Sequence, residues 1–349
     1  METLSSRNPY YSIDSTLTLT QFVCSEKIKI EHQLVEVITS FEIVAKSVSS
    51  FIQILHLQDK ESNTIQTYAN GVFTDTLSSC NNVGILVSES NKNILESNSP
   101  KKGLFMVTFS PIDCADNATC GFSVGSIFSV MLKKDLGIPT KDDVVDPHNV
   151  LVAAGYILYS SATLFVLSLG HGVHEFVLDP EIGEFCLTEH DVVMPKKGHV
   201  YSVDEASMNT WDDVIKNYIK HKKMSEKKKQ NVFRYMGSFV ADVHRIIKQG
   251  GMFMYPSTKE TPKGKYSVIC ICQPMAFIVT QAGGLATDLK VPILDLQVRD
   301  VREKTPVFLG SKIDMEDLQE FDQGCKEGLY GNTARLYHRR SRVAGIVRL

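Results

Sequence analysis

Cysteines and histidines are the side chains here whose placement suggests chemistry before any fold is assumed. Cys114 lies where Asp113-Cys114-Ala115-Asp116 turns into a short helical stretch. A helix N-terminus there would draw the thiol toward its reactive thiolate, whereas burial would leave it inert. His171, His174 and Glu175 follow Leu169-Gly170 and carry donor groups of a metal site, although polar loop residues at a strand end account for them more simply. Asp242 and His244, downstream of Gly237-Ser238, suit structural hydrogen bonds inside a helix. The eight cysteines, at 24, 80, 114, 120, 186, 270, 272 and 325, contain no C-x-x-C pair and no zinc-like spacing, so they read as reduced thiols. Near the end, Arg335, His338, Arg339, Arg340, Arg342 and Arg348 make a basic tail, either a flexible terminus or a contact for an acidic partner.

The elements that must position such groups follow from periodicity. A short helix is expected after Thr16-Leu17-Thr18, through Phe22 and Val23. A longer one is expected where Leu34, Val37, Ile38, Phe41, Val44, Ala45, Val48, Phe51 and Ile52 recur at helical spacing. Residues 57–68 are polar and read as a loop. Strand character appears in Val83–Ser88, Gly103–Phe109, Gly121–Val130 and Ile157–Leu169, and a hairpin is expected around the turn between Phe176–Pro180 and Glu184–Leu187. A long mixed or antiparallel sheet covered by helices follows. Lys220–Lys229 reads as a solvated surface loop; Val240, Val243, Ile246 and Ile247 suit one helix, and Met275, Phe277, Ile278 and Ala282 another that ends at Gly283-Gly284.

The 349 residues, 43% hydrophobic and 22% charged, fit two fused α/β domains and exclude global disorder. A formal charge of −3 argues against nucleic acid as a partner. No apolar run of the roughly 20 residues that a membrane helix needs stands out, and the start shows no secretory signal pattern. A cytoplasmic protein is therefore expected.

Several segments together resemble class I fructose-1,6-bisphosphatases. They include Leu86-Val87-Ser88-Glu89, Ser110-Pro111-Ile112-Asp113, Ser123–Phe128, Ala153-Ala154-Gly155-Tyr156, Leu178–Phe185, Lys196–Ser202, Arg234–Arg245, Tyr255-Pro256 and Ala282-Gly283-Gly284, in family order from about 16 to 320. The resemblance implies an α/β, layered αβαβα sugar-phosphatase fold made of two α/β domains with mixed sheets. It also implies Mg²⁺-dependent removal of a 1-phosphate and a homo-oligomer. Read on that pattern, residues 1–15 are a polar lead-in, 16–197 an N-terminal α/β domain, 198–325 a C-terminal domain with the sugar-phosphate pocket, and 326–349 the basic tail.

Metal-assisted phosphate hydrolysis needs several hard oxygen ligands at once. At the positions where the family places metal carboxylates, this chain has Gly71, Ser90, Ser110 and Ile271, leaving Glu89 and Asp113 as the remnants of the catalytic and metal set. The family's Gly-Ser-Ser phosphate turn is Cys114-Ala115-Asp116, and a further acidic position is Thr119. Asp116 either repels phosphate or stands in for a lost ligand. The 6-phosphate pocket matches better: Tyr235, Tyr255 and Lys265, with Arg234 as the arginine lent to a neighbouring subunit, while Asp204 and Ser207 depart from the family's asparagine and tyrosine. The AMP-binding turn is replaced by His32-Gln33-Leu34-Val35, and the loop before Asn70 is short and lacks glycines.

These residues lead to a family member that is catalytically impaired and acts as a binding or regulatory pseudoenzyme for fructose 6-phosphate or fructose 1,6-bisphosphate. It would form a dimer or tetramer, with itself or with an active paralogue. The alternative is an active Mg²⁺-dependent fructose-1,6-bisphosphatase of gluconeogenesis with an atypical site. An interaction protein using the basic tail is compatible with the first.

Overall fold

The computed structural model describes residues 17–26, 31–55, 61–97, 103–134, 137–224 and 231–326. The lead-in, the basic tail from 327 onward and residues 225–229 of the lysine-rich run lie outside them. Three helices come first: α1 (Leu19–Ser25), α2 (Glu31–Leu55) and α3 (Ser62–Ser78). Thr18 opens α1 through a reciprocal capping box with Gln21. β1 (Val83–Ser88), β2 (Leu95–Glu96), β3 (Phe105–Asp113), the short α4 (Ala115–Thr119), β4 (Val124–Leu132), β5 (Val150–Tyr159), β6 (Thr163–Ser168), β7 (His174–Asp179) and β8 (Glu184–Glu189) follow. The strands make an eight-stranded sheet in the order β2-β1-β3-β4-β5-β6-β7-β8. Only the β1–β3 pair is parallel, so the sheet is mixed.

The second half begins with β9 (Val200–Ser202), α5 (Asp213–Lys223), β10 (Val232–Phe233), α6 (Phe239–Gln249) and β11 (Gly251–Tyr255). After them come β12 (Tyr266–Ser267), a π-helical turn over Val268–Cys272, α7 (Gln273–Gln281), β13 (Leu285–Thr287), β14 (Lys304–Thr305), β15 (Val307–Gly310) and α8 (Lys312–Lys326). β10-β9-β11-β15-β13 form a five-stranded sheet.

Three apolar cores separate these elements into five layers. α1, α2 and α3 pack on one face of the long sheet. α6, the π turn and α7 fill the space between the two sheets, and α5 and α8 cover the far face of the second. Successive residues of one strand therefore enter different cores, as with Phe128 and Ile127 on β4. This is why β3 and β4 are buried along their whole length. The layered αβαβα architecture expected from the resemblance is the one observed.

The structure corrects four expectations. Residues 57–68 are not all loop: α3 begins at Ser62, with Ile65, Ala69, Phe73 and Leu77 buried along one stripe and Tyr68 stacked on Phe51 at 3.9 Å. Lys220–Lys223 belong to the last turn of α5 rather than to a loop, and Lys222 forms a well-shielded ion pair with Asp314 at 2.9 Å. The strand run 157–169 is two strands, β5 and β6, that pair as a hairpin. Finally, His32–Leu55 is long and apolar enough to cross a membrane by length and composition. Its inward stripe from Leu34 to Leu55 is packed into the first core, and Glu42 is buried against Lys46 at 2.8 Å, as suits a core helix.

Gly125 on β4 shows how closely α6 is seated: a Cβ there would lie 2.5 Å from Val240. Gly125→Ala should cost about 1–3 kcal/mol of stability through overpacking, read as a lowered urea midpoint with an unchanged slope.

Candidate functional site

Parallel pairing of β1 and β3 sets Ser88 beside Phe109, and Glu89 N–H donates to the Phe109 carbonyl at 2.9 Å. Glu89 and Ser110 thus emerge side by side. The Ser110 hydroxyl donates to Glu89 Oε2 at 2.5 Å. α3 closes the same end with neutral groups. Ser88 Oγ donates to Asn70 Oδ1 at 2.6 Å, Asn70 Nδ2 to Asn91 Oδ1 at 2.9 Å, and Gln66 Nε2 to Ser90 Oγ at 2.6 Å. Gly71 lies in this helix, where a Cβ would meet nothing within 4 Å.

Asp113 leaves this group. A register shift between Ser110 and Asp113 turns the end of β3 toward α6. There Asp113 Oδ2 accepts from Ser238 Oγ at 2.8 Å and from Val240 N–H at 3.0 Å. Burial, opposed by those donors, pushes its carboxyl up to about 6. Ile271 is buried in the π turn. Its neighbour Cys270 donates to the Val87 carbonyl at 3.8 Å, and burial, followed by the Glu89 charge, pushes that thiol up to about 12.

Arg302 reaches the same place from the segment before β14. Its Nη1 donates to the carbonyls of Ser88 and Glu89 at 3.1 and 3.2 Å, while Nη2 is buried without a hydrogen-bond partner among the described residues. No motif pointed to Arg302: among Arg299, Asp300, Glu303 and Lys304 it reads as part of a solvated charged stretch.

The expected phosphate-binding side chains do come together. Lys265 Nζ lies 5.6 Å from the Tyr255 ring centre and 5.7 Å from that of Tyr266. Burial, and then the Asp204 charge, raises the hydroxyl pKa of both Tyr235 and Tyr255. Asp204 is already engaged by Ser207 Oγ at 2.6 Å, so the two departures from the family pattern bond to each other. Tyr266, which sequence reasoning missed, is buried beneath the group and stacks edge-on with Tyr255 at 4.9 Å; its position next to Lys265 was the available signal. Arg234 is exposed, with Nη1 donating to its neighbour's carbonyl, Phe233 O, at 2.9 Å.

Cys114 follows the inert of the two readings. Burial, then the Asp113 charge, raises its pKa, and α4 is only five residues long. Asp116 is exposed, and its carbonyl accepts from Thr119 Oγ1 at 2.8 Å. Residues 32–35 form the first turn of α2. Asp242 accepts from Met236 N–H at 2.9 Å and from Arg245 at 2.9 Å, and His244 Nδ1 bonds Tyr156 OH at 2.9 Å, as their structural reading requires.

At the strand ends the donor set is thus one carboxylate tied to a serine, a second carboxylate holding α6, and hydroxyl and amide groups. Mg²⁺ favours charged oxygen ligands in near-octahedral array, and these residues do not fit it as they stand.

Comparison with known proteins matches the fructose-1-6-bisphosphatase N-terminal domain over residues 17–190 and the C-terminal domain over residues 194–323. A cytosolic fructose-1,6-bisphosphatase of Brassica napus is 41% identical over 265 residues, covering 76% of this chain and 78% of the relative. Fructose-1,6-bisphosphatase isozyme 2 of Bos taurus is 35% identical over 333 residues, 91% of this chain and 97% of the relative. The holo-form crystal structure of Leishmania major fructose-1,6-bisphosphatase superposes with a TM-score of 0.83 at 31% identity, covering 88% of this chain and 99% of that one. The chain belongs to the fructose-1,6-bisphosphatase family.

Proposed function

We propose that this family member is a pseudoenzyme: it binds a sugar phosphate such as fructose 6-phosphate through Tyr235, Tyr255 and Lys265 and does not hydrolyse fructose 1,6-bisphosphate at an appreciable rate. The observation that carries this reading is the Glu89–Ser110 hydrogen bond beside Arg302. Where a catalytic site would draw in cations, a serine hydroxyl already donates to the retained glutamate, and a guanidinium fixed on the adjacent carbonyls supplies positive charge. Asp113 Oδ2 is committed to Ser238 and Val240, which leaves at most its other oxygen for a metal. Losing a metal clamp removes several kcal/mol of transition-state stabilisation.

The competing reading, an active Mg²⁺-dependent enzyme, is favoured by the relatives' names. It requires Glu89 and Asp113 to hold the metal through the carboxylate oxygens that Ser110, Ser238 and Val240 leave open, with no third carboxylate to help. On either reading the cytoplasm, named for the plant relatives, is the expected location.

Assembly belongs to the same proposal. Arg234 and Phe233 are both exposed and adjacent, an aromatic–arginine pair of the kind that anchors protein interfaces. A second copy of this chain, or an active paralogue, would cover it and receive Arg234 at its sugar-phosphate pocket.

Phosphate release from fructose 1,6-bisphosphate with saturating Mg²⁺ or Mn²⁺ should run at least about a thousandfold below an ordinary turnover of roughly 10 s⁻¹. Fructose 6-phosphate should still raise the thermal midpoint in EDTA. A normal rate that Glu89→Gln abolishes would overturn the proposal.

The raised Asp113 carboxyl gives a pH test. The folded state holds this proton up to about pH 6, whereas the unfolded chain releases it near 3.8. Asp113 therefore makes stability fall as pH rises through that window, by about 3 kcal/mol in all, with no further loss above it. Asp113→Asn should remove this slope in urea titrations at pH 4 and pH 7. A metal-holding Asp113 would have a lowered pKa, and in Mg²⁺ the slope would reverse.

Light scattering after size exclusion should give a dimer or tetramer at micromolar concentration. Arg234→Ala should weaken fructose 6-phosphate binding without lowering the unfolding midpoint of the free protein. A monomer would remove the assembly reading while leaving the pocket in place.

A further inference from the structure

At the edge of the long sheet opposite β1 and β2, a group of imidazoles and carboxylates has no part in the site described above. β7 and β8 pair with Glu175 opposite Glu189, which brings His174 and His190 together, their rings tilted by 57° with centres 4.5 Å apart. The chain then turns back at Asp191 through a positive φ of 54°, placing its Oδ2 2.8 Å from His190 Nδ1. Asp191 N–H donates to His174 Nδ1 at 3.3 Å. That leaves His174 Nε2 facing the space above Gly172. A Cβ on Gly172 would lie 3.3 Å from this nitrogen and 2.3 Å from Asp191 Oδ1, so the glycine keeps open a gap between imidazole and carboxylate. One donor atom from each of His174, His190 and Asp191 falls within 4.8 Å of the others.

We propose that His174, His190 and Asp191 bind a borderline divalent cation such as Zn²⁺, with water completing the coordination. Two donors on one tetrahedral Zn²⁺ lie about 3.3 Å apart, given Zn–N and Zn–O bonds near 2.0–2.2 Å. The His190–Asp191 spacing is close to that, and closure needs a shift of about an ångström or more in the widest pair. Two imidazoles and one carboxylate select Zn²⁺ over Mg²⁺, which prefers oxygen alone.

Ligation through His174 Nε2 needs the tautomer with the ring proton on Nδ1, which releases the Asp191 N–H contact as the site closes. The metal would displace a contact of that ring with the His171 carbonyl. Phe22 of α1 packs on His174 and His190, with ring centres 4.5 and 6.0 Å away, and His171 Nε2 meets Glu26 just past α1 at 2.6 Å. An ion here would staple α1 to the sheet edge.

Calorimetric titration of the full chain with ZnCl₂ tests this without reference to phosphatase activity. An equimolar binding step is expected. It should weaken at least about tenfold in His190→Ala and in Asp191→Asn; both side chains are more than half exposed, so neither change threatens the fold. Cys24 and Cys120 are the exposed thiols among the described residues. Cys24→Ser with Cys120→Ser should leave the step intact, and Co²⁺ should bind without a thiolate charge-transfer band. Absence of heat, binding that survives both His190→Ala and Asp191→Asn, or binding lost with the cysteines would each overturn the proposal.

Discussion

Carboxylates gathered at the ends of two adjacent strands repel one another, and the fold must offset that repulsion with cations, protons or hydrogen-bond donors. The parallel β1–β3 pair fixes where the problem arises, because it delivers residues 89 and 110 to the same point whatever their identity. In this chain the offset comes from the protein itself. A serine at 110 donates where a second acid would repel, and Arg302 lies against the carbonyls on either side of the β1 terminus. The one carboxylate at this point is matched locally.

That local matching accounts for the surrounding composition. Glu89 is satisfied by Ser110, and positions 71, 90 and 271, which hold Gly, Ser and Ile, add no further negative charge. Ile271 contributes instead to the core between the sheets, beside Cys270 and Cys272, whose thiols are too buried to ionise readily. The π turn that carries them is tied to β3 by Thr108, whose hydroxyl reaches the Ile269 carbonyl at 2.9 Å. An apolar seam has formed where the family resemblance places a ligand.

The strands of the long sheet were legible in the sequence because two-sided burial makes β3 and β4 nearly continuous apolar runs, and α2 repeats its apolar positions over many turns. The five-layer order came from the family resemblance, and the strands of the second sheet were not read. α3 was half hidden. Its buried residues recur only every fourth position, and Thr, Asn and Gln between them look like loop. The resemblance marked 71, 90, 110 and 271 as positions without a carboxylate, but what surrounds them was not legible. Arg302 joins Glu89 across more than two hundred residues of chain, and nothing local marks it. The His174–His190 pairing needed the register of the β7–β8 hairpin. Counting outward from the turn at Pro180 would set His174 opposite Glu189; the irregularity between Glu175 and Phe176 moves it onto His190.

Asp113 has a structural duty of its own. Its carboxylate accepts from Ser238 and Val240 at the start of α6, where unpaired backbone N–H groups and the helix dipole favour an acceptor. α6 in turn packs Val240 against Gly125 and holds Met236 N–H through Asp242, which fixes the backbone next to Tyr235. Replacing Asp113 by a serine, as at 110, would leave buried donors unmatched, each at a cost of about 1–3 kcal/mol. Glu89 has no such duty beyond its contact with Ser110. The two remaining acids are therefore kept by different constraints: Asp113 by the fold, and Glu89 by the hydroxyl that replaced its neighbour.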